Sequence, residues 1–154
     1  MTDDTALSVL LIEDNPADAR IVREQYKTAK ETGLFERVLH KSEFESIQFT
    51  HEEDLDRGTE RLREGTYDAV LLDLQLPDSE GAETVDAVVD IDPNVPVVVL
   101  TGMPEQRLGG EAISRGAQDY LVKGKLTPEL LFLTLQYAIE RKKRERILRR
   151  RSNR

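Results

Sequence analysis

The 154-residue chain carries a formal net charge of −8, with 34% charged and 38% hydrophobic residues, a composition that indicates one folded domain and excludes a disordered or membrane-embedded chain. It contains no cysteine, which excludes a disulfide framework and thiolate chemistry. The first residues, MTDDTALS, lack the basic and apolar regions of a signal peptide, and no apolar run approaches the roughly 20 residues that span a bilayer, so we expect a cytoplasmic protein without membrane contact.

The first predicted strand is the apolar run SVLLIED, residues 8–14, which ends in two acidic residues. Asn15 and Pro16 follow it in the order typical of a helix N-cap and a first helical residue. A helix is therefore predicted over residues 17–32.

A long connection separates this helix from the second strand. Residues 33–45, GLFERVLHKSEFE, greatly exceed the roughly two to six residues usual between such elements. Their apolar side chains are spaced as on one side of a helix, which predicts a short helix over residues 34–41 that packs on the body near the second strand. That strand is predicted over residues 46–50, and Gly65 ends the next predicted helix, residues 52–64.

The second half of the chain continues the alternation of strands and helices. In chain order we predict a strand over residues 67–73, a helix capped by Ser79 and running to Ile91, a strand over residues 95–101, a helix over residues 106–115, a strand over residues 119–123, and a last helix capped by Thr127 and beginning at Pro128. Five strands that alternate with five main helices predict an α/β fold, a parallel sheet with helices on both faces.

The last helix is predicted to run to about residue 149 and to leave the domain as a basic tail. Residues 1–138 carry 28 acidic and 13 basic residues, and residues 139–154 carry two acidic and nine basic residues. We assign residues 1–141 to the domain and residues 142–154 to the tail, and we expect only charge to hold the charged segment 140–146 to the body. The tail is too poor in apolar residues for a coiled coil of three heptads, so we expect a monomer or a weak dimer. The residues expected on the buried side of this helix are Leu130, Leu133, Leu135, Tyr137 and Ala138.

Polar and ionisable side chains stand where the predicted strands end. Glu13 and Asp14 close the first strand, Asp73 the third, Thr101 the fourth and Lys123 the fifth. In an open parallel sheet, ligands bind outside the carboxyl ends of the strands. We therefore predict that three carboxylates, one hydroxyl and one ammonium meet at one edge of the sheet.

This set of side chains is suited to phosphoryl chemistry. Three close carboxylates need a cation, and a site with oxygen ligands only suits Mg²⁺. The Lys123 ammonium and the Thr101 hydroxyl can contact a phosphoryl oxygen, and Gly102 leaves room for a tetrahedral group. A carboxylate placed as Asp73 is can itself attack phosphorus to form an acyl phosphate, with Mg²⁺ and Lys123 neutralising charge.

The motifs LLIEDNPADA, AVLLDLQLPDSEG, VPVVVLTG and GAQDYLVKG resemble those of response-regulator receiver domains of two-component signalling, over about residues 8–141. The resemblance implies a flavodoxin-like, doubly wound five-stranded parallel sheet of strand order 2-1-3-4-5, as in the chemotaxis receiver. It also implies that a histidine kinase or phosphotransfer protein phosphorylates the chain, which then signals through changed protein–protein binding.

The resemblance further assigns roles to individual residues. It implies that Asp73 is the phosphoacceptor and that Thr101 and Lys123 contact the phosphoryl group. It implies that Thr101 and Tyr120 form a switch pair, which changes the face made by the fourth main helix, the fifth strand and the last helix. The groups implied to serve Mg²⁺ are the side chains of Glu13, Asp14 and Asp73 and the backbone carbonyl of Gln75.

Lys123 is followed by Gly124, where the family usually has a proline, so the conformation of this peptide bond is left open. No effector domain follows the last helix within the 154 residues, so we expect a stand-alone receiver whose downstream protein partner the sequence does not identify. We expect no enzyme activity beyond self-catalysed phosphoryl transfer and dephosphorylation.

Two other classes of function were weighed. A phosphatase of the haloacid-dehalogenase type also uses a strand-end aspartate, but it needs a second aspartate at the position of Gln75 as acid and base. A nucleic-acid binder could use the basic tail, but the tail lacks aromatic residues and the acidic body opposes binding, so we expect no nucleic-acid partner. His40 and His51 have no metal-ligand spacing and are expected on the surface.

Overall fold

Strands and helices alternate along the described part of the chain, residues 5–38, 44–102 and 106–152 of a computed structural model. The strands are β1 (Ala6–Ile12), β2 (Ser46–Glu52), β3 (Ala69–Asp73), β4 (Gln75–Leu76), β5 (Ser79–Glu80), β6 (Val97–Thr101) and β7 (Asp119–Val122). The helices are α1 (Pro16–Glu31), α2 (Leu34–Val38), α3 (Leu55–Glu64), α4 (Thr84–Ile91), α5 (Gln106–Ser114) and α6 (Pro128–Ser152), with a 3₁₀ turn at Lys123–Lys125. No helix in these ranges is both long enough and apolar enough to cross a membrane.

Five of the strands form a parallel sheet of order β2-β1-β3-β6-β7. This order confirms the flavodoxin-like topology expected from the resemblance. The chain moves to one side of β1 to form β2 and to the other side to form β3, so the order reverses between β1 and β3. A crevice at the carboxyl ends of these two strands is the usual place for a ligand in such a sheet.

The core has two layers because successive side chains of a strand point to opposite faces of the sheet. From β1, Leu7, Val9 and Leu11 pack with residues of α1, α2 and α6. Leu10 and Ile12 pack on the other face with residues of α3, α4 and α5. Every residue of β3 and β6 is buried, as expected of central strands covered on both faces.

Two predicted helix starts are confirmed by their capping bonds. The Asn15 side chain accepts a hydrogen bond from the Ala17 N–H at 2.9 Å, and Pro16 is the first residue of α1. The Thr127 hydroxyl oxygen accepts a bond from the Leu130 N–H at 3.1 Å before α6. The start of α1 matters for the site because it fixes where the first turn of that helix lies relative to the end of β1.

The predicted helix in the long connection is confirmed for Leu34–Val38, which form α2, whereas residues 39–41 lie outside the described residues. The Phe35 ring is buried, with its centroid 5.5 Å from that of Tyr26 and 5.9 Å from that of Phe132. Tyr26 in turn contacts Phe49 of β2. The segment therefore packs on the body between α1 and α6, close to the second strand as predicted. His40 also lies outside the described residues.

Several predicted boundaries were wrong because local hydrogen bonds extend or shift the elements. β2 continues to Glu52, and α3 begins at Leu55 after Asp54, whose carboxylate accepts a bond from the Arg57 N–H. Ser79 does not cap α4; it lies in the antiparallel hairpin β4–β5, and α4 begins at Thr84.

The buried side of α6 was predicted only in part. Leu130 and Tyr137 are 42% and 54% exposed, which contradicts the prediction, whereas Leu135 and Ala138 are buried as predicted. Relative to the prediction the helix is rotated about its axis, and its buried apolar residues are Leu131, Phe132, Leu135 and Ala138. The expectation that only charge holds segment 140–146 was also wrong, because Lys142 is buried.

Candidate functional site

Three acidic side chains lie together where β1 and β3 end, next to the point at which the strand order reverses. Each of Glu13, Asp14 and Asp73 offers one carboxylate oxygen, and these oxygens lie within 4.8 Å of one another. Glu13 and Asp73 are buried and Asp14 is half-buried. The structure thus brings together the three carboxylates that the sequence placed at strand ends.

Asp73 ends a strand that is buried along its whole length, and both of its carboxylate oxygens have partners. Oδ1 accepts a hydrogen bond from the Gln75 N–H at 3.0 Å, and Oδ2 accepts one from the Lys123 ammonium at 3.1 Å. A buried carboxylate is costly unless it is paired and hydrogen-bonded. These two donors explain why a carboxylate is tolerated at the end of a core strand.

Lys123 begins the 3₁₀ turn after β7 and contacts three carboxylates. Its Nζ lies 2.8 Å from Glu13 Oε2, 3.0 Å from Asp18 Oδ2 and 3.1 Å from Asp73 Oδ2. Burial acts to lower the pKa of this ammonium, but its close contacts with the carboxylates of Glu13, Asp18 and Asp73 outweigh burial, so the pKa lies above its ordinary value. Lys123 therefore stays charged at neutral pH.

Glu13 is the most strongly perturbed carboxyl group of the cluster. Burial, together with the nearby charge of Asp73, raises the pKa of Glu13 from 4.5 to about 7, although the Lys123 ammonium acts in the opposite direction. Its Oε1 accepts a hydrogen bond from the Asn15 N–H at 3.2 Å. Its Oε2 has the Lys123 ammonium nearby but receives no well-aligned hydrogen bond from any residue in the described ranges.

The cluster fits a divalent cation of the Mg²⁺ type. The donors are all carboxylate oxygens, the class of ligand that Mg²⁺ prefers. The Glu13 Oε2 atom is a buried acceptor for which a cation would supply the missing partner. Gln75, the other residue implied for the metal site, lies at the start of β4 with its N–H turned back to Asp73.

Thr101 and Tyr120, the implied switch pair, lie on the neighbouring strands β6 and β7. Thr101 is the last residue of β6 and is buried, and Tyr120 is half-buried opposite Val99. The Tyr120 ring lies over Gly109 of α5, where an added Cβ would stand 2.5 Å from a ring carbon. Beside Thr101, a Cβ added to Gly102 would meet no heavy atom of the described residues within 4 Å.

The peptide bond between Lys123 and Gly124, which the sequence left open, is trans, because no peptide bond in the described ranges is cis. Lys123 reaches the acidic cluster from the 3₁₀ turn that this bond begins. The missing proline therefore does not keep the lysine away from Asp73.

Sequence reasoning missed one residue near the site and misjudged the burial of another. Asp18 contacts Lys123 from the first turn of α1, and its only sequence signal is its position three residues after the N-cap Asn15. His51 was expected on the surface, but it is half-buried, with Nε2 2.7 Å from the backbone oxygen of Glu13. That prediction was wrong because β2 continues beyond residue 50 and runs beside β1 to its end.

Comparison with known proteins assigns most of the chain to one family. The family model of the response regulator receiver domain matches residues 9–135. The chemotaxis protein CheY of Thermotoga maritima is 34% identical over 66 residues, which are 43% of this chain and 55% of that protein. The transcriptional regulatory protein ZraR of Klebsiella oxytoca is 35% identical over 83 residues, which are 54% of this chain and 18% of that protein. The chain thus spans only part of the length of each of these relatives.

Solved structures agree on the fold. The receiver domain of the sensor histidine kinase PA1611 from Pseudomonas aeruginosa PAO1, with a magnesium ion coordinated in its active site cleft, superposes with a TM-score of 0.68 at 22% identity, covering 88% of this chain and 98% of that one. A CheY-like receiver domain protein from Methanospirillum hungatei JF-1 superposes with a TM-score of 0.64 at 16% identity, covering 91% and 98%. At these identities the likeness is one of fold.

Proposed function

The chain belongs to the response-regulator receiver domain family, and from that premise we propose that it is a phosphoacceptor that takes a phosphoryl group onto Asp73 from a histidine kinase or phosphotransfer protein. The observation that carries the proposal is the placement of Asp73. Its carboxylate closes a buried strand at the point where the strand order reverses, held between the Gln75 N–H and the Lys123 ammonium. A carboxylate fixed in this way can act as a nucleophile.

The proposed reaction transfers the phosphoryl group between two nucleophiles. A carboxylate oxygen of Asp73 attacks phosphorus, the bond from phosphorus to the imidazole nitrogen of the donor's phosphohistidine breaks, and the imidazole leaves with the electron pair. The product is an acyl phosphate on Asp73. Lys123 Nζ, already 3.1 Å from Asp73 Oδ2, is placed to neutralise charge on the transferred group. The Thr101 hydroxyl at the end of β6 is proposed to donate to a phosphoryl oxygen.

We assign the metal site to Mg²⁺, held by Glu13, Asp14, Asp73 and the backbone carbonyl of Gln75. When bound, the ion supplies positive charge that offsets the carboxylates and the incoming phosphoryl group. The residues of the chain then hold the reacting groups in place. The oxygen-only donor set and the under-satisfied Glu13 Oε2 support this assignment.

We propose that the phosphorylated chain signals through a change in protein–protein binding and not through turnover of a substrate. Gln75 occupies the position at which a haloacid-dehalogenase phosphatase needs a second acid, so the chain has no group there to release phosphate from an ester. A phosphoryl group on Asp73 adds acceptor oxygens that Thr101 can approach, and the Tyr120 ring on the adjacent strand can then move. The face formed by α5, β7 and α6 is proposed to transmit the change to the partner.

Intact mass after incubation with acetyl phosphate and Mg²⁺ tests the proposal. We expect the wild type to gain one acid-stable, base-labile phosphoryl group and Asp73→Asn to gain none. Asp90→Asn, at an exposed position of α4, is the control and should be labelled like the wild type. Equal labelling of Asp73→Asn and the wild type would refute the assignment of Asp73.

A further inference from the structure

Asp18 differs from the other two carboxylates that contact Lys123. Glu13 and Asp73 both belong to the acidic cluster that fits a cation. Asp18 stands on α1, outside that cluster, and its Oδ2 accepts a hydrogen bond from the Lys123 ammonium at 3.0 Å. A cation bound in the cluster would therefore draw on Glu13 and Asp73 but leave the contact with Asp18 in place.

The contact joins two parts of the chain that are 105 residues apart in sequence. Asp18 lies in the first turn of α1, which Asn15 and Pro16 hold in register with the end of β1. Lys123 lies at the start of the turn after β7. Their side chains are 29% and 19% exposed, so the pair is shielded from water on most sides. Through Asp18, helix α1 thus holds a lysine side chain that reaches the site from the turn after β7, the strand at one side of the sheet.

On the basis of the function proposed above, we propose that Asp18 is a positioning residue that holds the Lys123 ammonium over Asp73 during phosphoryl transfer. An ammonium has three N–H donors, and in this structure three carboxylates surround it. Once a cation engages Glu13 and a phosphoryl group approaches Asp73, Asp18 is the partner that keeps the orientation of Lys123. The long lysine stem would otherwise sample many rotamers.

Removing Asp18 has two effects that must be separated. Its negative charge repels an anionic phosphodonor, so loss of the charge alone favours phosphorylation. Its oxygen also holds Lys123, so loss of the acceptor alone opposes phosphorylation. Asp18→Asn and Asp18→Ala both remove the charge from the first turn of α1, but only asparagine keeps an oxygen that can accept a bond from Lys123. Comparison of these two variants therefore isolates the hydrogen bond.

The first test measures the rate of Asp73 phosphorylation by acetyl phosphate at saturating Mg²⁺. We expect Asp18→Ala to react about tenfold more slowly than Asp18→Asn, the factor that corresponds to the loss of one charge-assisted hydrogen bond. Equal rates in the two variants would overturn the positioning role. If the wild type itself took up no phosphoryl group, the proposed function would fail.

The second test needs no phosphoryl transfer, so it remains informative even if the wild type is not phosphorylated. It follows the ¹⁵Nζ–H correlation of Lys123 by NMR in the Mg²⁺-loaded protein without a phosphodonor. We expect the signal to be retained in the wild type and in Asp18→Asn and to be lost through faster exchange in Asp18→Ala. The same signal in all three proteins would overturn the proposal.

Discussion

Lys123 Nζ and Asp73 Oδ2 lie 3.1 Å apart, although β6 separates the strands from which the two residues come. Asp73 is the last residue of β3, and Lys123 directly follows β7. Contact across an intervening strand is possible because all three strands are parallel and end at the same edge of the sheet. The lysine thus supplies the positive charge that offsets two buried carboxylates, those of Asp73 and Glu13.

Replacement of Lys123 by methionine tests this role through stability. The variant keeps an unbranched side chain but leaves Glu13 and Asp73 without their ammonium. In metal-free buffer at neutral pH we expect the free energy of unfolding to fall by about 2 kcal/mol, measured by urea denaturation. Lys125→Met, two residues away at an exposed position, should change it little. Equal losses in the two variants would show that Lys123 does not stabilise the buried carboxylates.

Glu13 should make stability depend on pH near neutrality. Its pKa is raised to about 7 in the folded protein, so the folded state binds this proton more tightly than the unfolded chain does. The stabilisation is complete below the ordinary pKa of 4.5 and is lost as the pH rises through about 7. One such proton corresponds to a slope of at most about 1.4 kcal/mol per pH unit.

The measurement is the difference in unfolding free energy between the wild type and Glu13→Gln in EDTA. Because glutamine does not titrate, this difference isolates the contribution of Glu13 from that of the other acidic groups. We expect it to shift in favour of Glu13→Gln as the pH rises from 5 to about 7. A difference that stays constant over this range would contradict the raised pKa.

The central features of the site could be predicted because they follow from strand ends. An apolar run that stops at a carboxylate marks the end of a buried strand, and the carboxyl ends of parallel strands share one edge of the sheet. Glu13, Asp14, Asp73 and Lys123 were therefore expected together, and the structure brings them together. The strand order was implied by the resemblance of the motifs to the receiver family, and the structure confirms it.

The features that were missed depend on how helices approach the sheet. The contact between Asp18 and Lys123 is set by the angle and register of α1, which no local pattern encodes. The rotation of α6 about its axis decides that Leu131 is buried and Leu130 exposed, and a helix rich in leucine on several sides fits either choice. The hairpin β4–β5 escaped notice because two-residue strands carry almost no periodic signal.

The acidic cluster should bind Mg²⁺ with an affinity that depends on Asp14. Asp14→Ala removes a carboxylate whose oxygen lies with those of Glu13 and Asp73, and we expect calorimetry to show the loss of Mg²⁺ binding at millimolar concentrations. Glu13→Ala should have a milder effect if Glu13 acts on the ion through a water molecule. Asp90→Ala is the control for the loss of one negative charge. Unchanged affinity in Asp14→Ala would refute the site.

The short helix α2 should contribute measurably to stability through one aromatic ring. Phe35 is buried against Tyr26 and Phe132, in edge-to-face geometry with both. We expect Phe35→Ala to lower the free energy of unfolding by about 3 kcal/mol, the usual cost of removing a buried phenylalanine. Leu130→Ala, at the exposed position predicted wrongly to be buried, should lower the free energy of unfolding by well under about 1 kcal/mol, because this side chain is already partly exposed to water and loses less buried apolar area. Rapid proteolysis around residue 35 in the folded protein would contradict the packing.

The last prediction concerns the contact between the Tyr120 ring and helix α5. Two neighbouring glycines of this helix differ in what an added methyl group would meet. At Gly109 it would stand 2.5 Å from the ring, and at Gly110 it would meet no heavy atom of the described part of the chain within 4 Å. Both changes to alanine favour the helix by up to about 1 kcal/mol, so the pair separates helix propensity from contact with the ring. We expect Gly109→Ala to shift the ring resonances of Tyr120 in NMR spectra of the unphosphorylated protein and Gly110→Ala to leave them unchanged. Because the ring would already be displaced, beryllofluoride should then change the Tyr120 signals less in Gly109→Ala than in the wild type. Unshifted ring resonances in Gly109→Ala would mean that Tyr120 is not seated on this glycine and that α5 can move without moving the ring.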